Sequence, residues 1–403
     1  MRLPRTGLPL ACALVAAACR PTPAPVAARP PVDSVPLPAL PDSSPRWDWV
    51  GFAYDTDTIP AGVLDQFPAD TLGFIRAVVF GRHGRIFADE ALDWFLEDQD
   101  WYRPDTLFTN ARLNDTERYN LDLIRLTEAA RHEHVQPGDL RYWQSTLFTP
   151  ERLGPHGAVD WRVLVAEVEA IHGRTFPDDA WLQRYFDERY WYHPDSAYAD
   201  TVLTPLERQN LATIRAQAEA AEGGGVQVGD LAAFSDRVLR PAQLRDATLR
   251  TLRLLREEIR IRRGAPSPHP GIAQLFEMDG IYHPRPDWDD SLLTETDRAN
   301  LAVIRTAETD RRARLLAAGL DPNTLNSEFM FAEDADRWRW SILAAHGAPL
   351  EDSLARRWAD SLPGYHPDST YSDARLNESE RRAVVALAGF VKEALSEDTE
   401  VEG

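Results

Sequence analysis

Apolar residues recur three and four positions apart in several stretches of the chain, the spacing that places side chains on one face of a helix. The first set is Leu72, Ile75 and Val79, in a stretch that ends at Gly84. The set recurs at Trp161, Leu164 and Val168, and again at Leu252, Leu255 and Ile259. A glycine just past the last apolar position can take the left-handed conformation that ends a helix. The pattern therefore predicts a first helix that stops at this glycine.

Each predicted first helix is followed by a second and a third. The second carries Leu92, Phe95 and Leu96 and stops at an aromatic turn, because the residue before a proline disfavours helix. The third begins with a polar N-cap residue that is answered three positions later by an acid, the spacing of a capping box. The pairs are Asn114 with Glu117, Thr204 with Glu207, Thr294 with Asp297, and Asn377 with Glu380. An asparagine three positions further on, at Asn120, Asn210 and Asn300, is expected to bind a neighbouring loop from a semi-buried position.

The three predicted helices form one unit that occurs four times. The tyrosine of the aromatic turn marks each copy, at Tyr102, Tyr192, Tyr282 and Tyr365, with spacings of 90, 90 and 83 residues. We assign the units to residues 47–135, 136–225, 226–318 and 319–395, of which the last two are degenerate. The predicted fold class is therefore mainly α, a tandem array of small three-helix modules. The segments before each first helix are also compatible with short strands.

The N-terminal region has the pattern of an export signal, with Arg2 and Arg5 before the apolar stretch "LPLACALVAAA". The following "VAAAC" resembles a bacterial lipobox, so we expect residues 1–19 to be a signal peptide that ends at a lipidated Cys19. The alternative is ordinary cleavage that leaves Cys19 as a free thiol. Residues 20–46 are proline-rich and lack aromatic residues, which predicts an extended linker. An acidic tail is expected at 396–403.

The charge balance limits the partners. Asp and Glu number 64 against 44 Lys and Arg, a net charge of −20, which repels the phosphate backbone of nucleic acids. We therefore expect no nucleic-acid partner, and contact with a membrane only through a lipid on Cys19. Because Arg20 and not an aspartate follows Cys19, the N-terminus resembles that of outer-membrane lipoproteins in a double-membraned bacterium.

The histidine in the stretch "VVFGRHGRIF" could be a catalytic base, a metal ligand or a helix-end residue. The counterparts of His83 are His172, Arg263 and His346. An arginine does not deprotonate near neutral pH, so the exchange favours a structural role in which a cationic tip satisfies helix-end carbonyls. His132 and His134 form another pair but lack a third ligand, so neither a metal nor another cofactor is predicted. No motif of a common hydrolase or nucleotide-binding enzyme is present, and we assign no catalytic residue.

Trp101, Tyr102, Trp191 and Tyr192 admit two interpretations. Flat aromatic side chains could stack on a sugar or a peptide ligand. The alternative is that they close the small core of each unit, since units of this size need large aromatic side chains inside. The core interpretation is favoured, more strongly for the tyrosine because it recurs in all four units.

The combined motifs resemble the YARHG domain: a helix that ends in "RHG", an aromatic "WYxP" turn, and then "LxxxExxNLxxI". The matching residues are His83, Gly84, Trp101, Tyr102 and Pro104 in unit one, His172, Gly173, Trp191, Tyr192 and Pro194 in unit two, Tyr282 and Pro284 in unit three, and His346, Gly347, Tyr365 and Pro367 in unit four. The resemblance implies small helical modules outside the cytoplasm, and it brings no catalytic residue with it.

Together these features predict an exported, lipid-anchored envelope protein that displays its modules for binding or structural work. The expected partner is a cell-wall component or an envelope protein. We do not expect an enzyme. The alternative is a cell-wall hydrolase with its active site between modules.

Overall fold

The computed structural model describes residues 47–87, 89–278, 280–362 and 364–401. The expected signal peptide, the expected lipidation site Cys19 and the expected linker 20–46 lie outside the described residues. The described part contains 14 α-helices and no strand, which confirms the mainly α prediction. None of the helices in this part is long and apolar enough to cross a membrane.

Each unit holds one triplet of helices in the predicted order. Unit one contains α1 (Ala69–Gly81), α2 (Glu90–Glu97) and α3 (Asp115–Arg131). Unit two contains the short α4 (Pro150–Leu153) and then α5 (Ala158–Ala170), α6 (Ala180–Asp187) and α7 (Pro205–Ala220). Unit three contains α8 (Leu249–Ile261), α9 (Pro270–Met278) and α10 (Glu295–Ala318). Unit four contains the short α11 (Pro322–Glu328) and then α12 (Ala332–Ala345), α13 (Ser353–Asp360) and α14 (Glu378–Val401).

The structure differs from the sequence-based expectation in two segments. The segments before the first helices contain short 3-10 turns and no strand within the described residues, for example at Val63–Gln66 and Pro241–Leu244. At the other end, α14 continues to Val401 and includes most of the residues expected as a separate acidic tail. Neither glycine nor proline interrupts the sequence between Gly389 and Gly403, so nothing local stops this helix.

The first helix of each unit is buried on two sides, one against the third helix and one against the second. In unit two the first side joins Trp161, Leu164 and Val168 of α5 to Leu211 and Ile214 of α7. The second side joins Val163, Ala166 and Ala170 of α5 to Phe186 and Tyr192. The spacing in the sequence identified only the side that faces the third helix.

A buried asparagine in the third helix binds the loop that precedes the first helix. Asn120 is fully buried, and its Oδ1 accepts a hydrogen bond of 2.9 Å from the Ile59 amide. Its Nδ2 donates to the carbonyls of Tyr54 and Asp57 at 3.0 and 2.8 Å. The equivalent side chains in the next two units, Asn210 and Asn300, bind their preceding loops in the same way. The predicted loop contact is confirmed, although the asparagine side chain is buried and not semi-buried. Its amide group binds loop backbone groups that would otherwise need another hydrogen-bond partner.

Candidate functional site

The cationic residue at the end of each first helix forms an ion pair with the capping acid of the third helix. His83 Nε2 lies 2.6 Å from Glu117 Oε1. The equivalent pairs are His172 with Glu207 at 2.7 Å, Arg263 with Asp297 at 2.7 Å, and His346 with Glu380 at 3.2 Å. The expected bond to helix-end carbonyls is therefore wrong, because the cationic tip reaches the acid of another helix instead.

Unit three keeps this ion pair with both partners exchanged. The longer Arg263 stands opposite the shorter Asp297, where the other units have histidine opposite glutamate. Arg263 Nε and Nη2 lie 2.7 and 3.2 Å from the two carboxylate oxygens of Asp297. The longer cationic side chain thus compensates for the shorter acidic one. Asp297 also accepts a hydrogen bond from the N-cap amide of its own helix, as Glu117 does from the Asn114 amide at 2.9 Å. One carboxylate thus caps its own helix and holds the end of another.

Hydrogen bonds keep the capping acids Glu207 and Asp297 ionised in spite of their burial. Burial raises the pKa of Glu207, but the Thr204 amide and His172 lower it further, so the resulting pKa lies below the ordinary value. The pKa of Asp297 is likewise lowered, because Arg263 and the Thr294 amide outweigh burial. These acids therefore act as fixed anions and are poorly suited to donate protons.

Backbone bonds tie the motif glycine to the aromatic turn. Gly84 has a φ of 81°, and its carbonyl accepts a 2.8 Å bond from the Asp105 amide, directly after Pro104. A Cβ atom on Gly84 would lie 2.5 Å from the Arg103 carbonyl oxygen. The same bond joins Gly173 to Asp195, Gly264 to Arg285, and Gly347 to Asp368, each donor following Pro194, Pro284 or Pro367. Glycine is required here both by its backbone conformation and by the close approach of the turn.

The motif tyrosine and tryptophan lie in different surroundings. The buried Tyr102 donates a 3.0 Å hydrogen bond to the Arg85 carbonyl, and the tyrosines of units two and four bind the equivalent carbonyls at 2.8 Å. In unit three the Tyr282 oxygen instead accepts from the Ser267 amide at 3.2 Å. Trp101 and Trp191 are only half-buried. The structure therefore places Tyr102 and Tyr192 in the core and the tryptophans at its edge.

Units one and two enclose a cleft of 280 Å³, which we call the first cleft. Its aromatic wall includes Phe80 and Phe87 from unit one and Tyr185 and Trp191 from unit two. The cleft also contains the arginines Arg76, Arg85, Arg125 and Arg189. Trp101, the counterpart of Trp191, lies outside this cleft, with the Arg82 guanidinium 4.3 Å from its ring centre. The first cleft thus brings together side chains that are far apart in the sequence.

Hydrogen bonds between the two units fix the walls of the first cleft. The Tyr190 hydroxyl donates to Asp122 Oδ1 at 2.6 Å. Asn110 Nδ2 donates to the Glu188 carbonyl at 3.0 Å, and the Arg118 guanidinium donates to the Tyr190 carbonyl. Burial, followed by the nearby Tyr142 and Asp122, raises the pKa of Tyr190 well above its ordinary value, so the hydroxyl remains a donor. The two units are therefore joined by specific contacts beside the cleft.

A second cleft, of 750 Å³, lies between units two and three. It includes Arg174 and Arg215, and both contact the carboxylate of Glu169. A third, mostly polar cleft of 890 Å³ lies beside Gly224 and Gly225. The sequence interpretation did not single out the arginines of the first cleft. A position-by-position comparison of the units could have identified Arg85, because Phe80 stands where unit two has the acid Glu169.

The histidines do not assemble into a metal centre in the described part of the chain, where no three His, Cys, Asp or Glu side chains are grouped to hold an ion. His132, a member of the His132 and His134 pair, has its Nδ1 atom 2.7 Å from Asp139 Oδ2. The motif histidines bind the capping acids described above. Their contacts are those of a structural network.

Comparison with known families identifies the repeated module. The YARHG domain family matches residues 50–129 and 145–219, which lie within units one and two. Residues 50–129 and 145–219 are therefore two YARHG domains in tandem. Units three and four repeat the helix triplet and the ion pair outside the matched residues. No curated protein and no solved structure matches the chain.

Replacement of Gly84 by alanine should destabilise the protein, because the left-handed backbone and the Arg103 carbonyl leave no room for a Cβ atom. We expect a loss of about 1–3 kcal/mol in the free energy of unfolding, measured by urea denaturation. Gly73→Ala is the matched control, because its Cβ would meet nothing within 4 Å in the middle of α1. The control should be stabilising by about 0.5–1 kcal/mol. Equal losses in both variants would contradict the assignment.

The ion pair should tolerate the exchange found in unit three. Glu117→Asp alone shortens the acid and should cost about 1–2 kcal/mol in the free energy of unfolding, because the contact to His83 is lost. Adding His83→Arg should recover at least about half of that loss, since the longer side chain reaches the shorter acid as in unit three. A double-mutant cycle by urea denaturation measures this coupling. Simple addition of two losses would show that the pair does not hold the helices together.

Proposed function

We propose that the protein is a binding or scaffolding protein of the cell envelope, not an enzyme, and that it takes its ligand in the first cleft, between units one and two. The proposal rests on one observation: the motif side chains and the side chains of the first cleft have different contacts. The motif histidines, glycines and tyrosines are engaged in bonds within each unit. The first cleft instead gathers arginine and aromatic side chains from two units, which is a composition typical of ligand sites.

The location is supported by the domain and by the N-terminal sequence. YARHG is typically an extracellular domain. The signal-like residues 1–19 and the cysteine at their end support export and a lipid on Cys19, and Arg20 supports the outer membrane as the destination. The proline-rich linker would then hold the units away from the membrane surface.

The alternative of a cell-wall hydrolase needs a carboxyl group that faces the ligand and can donate a proton. Burial raises the pKa of Glu167 to about 7, a value suited to a general acid. Its oxygens, however, accept hydrogen bonds of 2.7 and 3.2 Å from the amides of Gly138 and Leu140, and the side chain is fully buried. Glu167 is better explained as the residue that fixes the turn between units one and two. Glu167 therefore does not supply the proton donor that a hydrolase would need in a cleft.

The proposal is tested by sedimentation of the purified protein with insoluble cell wall, and by capture of envelope proteins in a second arm. Trp191→Ala should lower the bound fraction by at least about fivefold, because it removes part of the aromatic wall. Trp101→Ala is the matched control: it removes the same motif residue outside the first cleft, so binding should be unchanged. Circular dichroism and unfolding midpoints establish that both variants are folded. Equal binding by both variants, or no binding in either arm, would refute a ligand site in the first cleft.

The anchor is tested separately by fractionation of bacterial cells that express the protein. Cys19→Ala removes the thiol that would carry the lipid, so the protein should move from the membrane fraction to the soluble fraction. Cys12→Ala is the control, because Cys12 lies within the expected signal peptide. Membrane retention of the Cys19 variant would contradict lipid anchoring.

A further inference from the structure

Units one and two differ at a side chain that decides the charge of the first cleft. Arg85 follows the motif glycine of unit one, as Arg174 follows that of unit two. Arg174 contacts the carboxylate of Glu169, four positions before its glycine. The corresponding position in unit one is Phe80. Arg85 consequently has no carboxylate within salt-bridge distance among the described residues.

Arg189 enters the same cleft from unit two, and it too lacks a carboxylate at salt-bridge distance in the described part of the chain. Both guanidinium groups lie against aromatic rings. The central carbon of Arg189 is 3.9 Å from the centre of the Tyr185 ring, and that of Arg85 is 4.6 Å from the centre of the Phe80 ring. A guanidinium that stacks through its face keeps N–H donors along its edge for another group.

The other charged groups around the cleft do not neutralise these two arginines. Arg76 and Arg125 both contact Glu128 at 2.8 Å, so those two guanidinium groups share one acid. Arg125 also lies 3.9 Å from Asp139. Glu188, the acid among the lining residues, attracts Arg85 but is exposed, so water and salt screen its charge. Positive charge therefore predominates in the first cleft of a protein whose net charge is −20.

Burial and then repulsion from Arg189 lower the pKa of Arg85 to about 10. Arg85 still carries its charge at neutral pH, but in surroundings that disfavour it. In the second cleft Arg174, the counterpart of Arg85, does have an acid partner, because Glu169 contacts both Arg174 and Arg215. An anion in the first cleft would supply the charge that Glu169 supplies in the second.

We propose that the first cleft binds the carboxylate or phosphate group of an anionic envelope ligand through Arg85 and Arg189. The aromatic side chains of Phe87, Tyr185 and Trp191 would contact the sugar ring or apolar body that carries the anion. A guanidinium edge matches an oxyanion with two parallel hydrogen bonds. The volume of 280 Å³ suits a group of the size of one sugar or one amino acid. This inference rests on the proposed function and names the chemistry of its ligand.

Isothermal titration of the full chain tests the inference with three sugars of similar size. N-acetylmuramic acid carries a carboxylate, N-acetylglucosamine is its neutral counterpart, and N-acetylglucosamine 6-phosphate provides the phosphate. At least one of the charged sugars should bind about tenfold more tightly than the neutral one, and the tighter one identifies the anion. Arg85→Gln and Arg189→Gln should each lower that affinity by about tenfold. Arg174→Gln, at the equivalent position with its own acid, should leave the affinity unchanged.

The outcomes separate this inference from the proposed function. Equal affinity for neutral and charged sugars, or equal effects of Arg85→Gln and Arg174→Gln, would overturn anion recognition. Absence of binding by any sugar up to millimolar concentration would overturn it as well. In each case the cell-wall sedimentation, compared between Trp191→Ala and Trp101→Ala, still decides whether the cleft is a binding site. Unfolding midpoints of the three arginine variants show whether a loss of affinity is a loss of fold.

Discussion

The ion pair between the end of the first helix and the start of the third is the contact on which each unit depends. It joins residues 34 or 35 positions apart in units one to three and fixes where the two helix ends meet. Its acid is buried and also binds the N-cap amide of its own helix, so the carboxylate has partners on both sides. A buried carboxylate is costly unless it is paired and hydrogen-bonded. The aromatic turn closes beside it through the glycine carbonyl and the tyrosine hydroxyl.

This shared network leaves other positions free to differ between units. The exchange of Glu169 for Phe80 does not touch the ion pair, the glycine turn or the tyrosine bond, yet it changes the electrostatics of the cleft beside them. The cleft between units one and two consequently differs in charge from the cleft between units two and three, although the three helices of the preceding unit line both clefts. In a repeated architecture, binding chemistry can thus vary at junctions while the modules remain intact.

The helix order, the repeat and the capping residues were predictable because their physical causes are local. An N-cap side chain and an acid three positions later act within one turn of helix, so their spacing is visible in the sequence. The burial of Tyr102 and Tyr192 followed from their recurrence and size. The partner of His83 was not predictable in this way. The exchange of histidine for arginine argued against a catalytic role, but the matching exchange of Glu117 for Asp297 identified the contact only when the two were seen together.

The sequence by itself determined the repeated triplet of helices, the residues that begin each third helix, and the acidic character of the whole chain, because these depend on neighbours along the chain and on composition. The tertiary structure decided that the first helix is buried on two sides, that Trp191 lines the first cleft while Trp101 lies outside it, and that Arg85 and Arg189 come together with no carboxylate at salt-bridge distance among the described residues. These features depend on contacts between residues that are far apart in sequence. The periodicity of a single helix carries no information about which other helix its second face will meet.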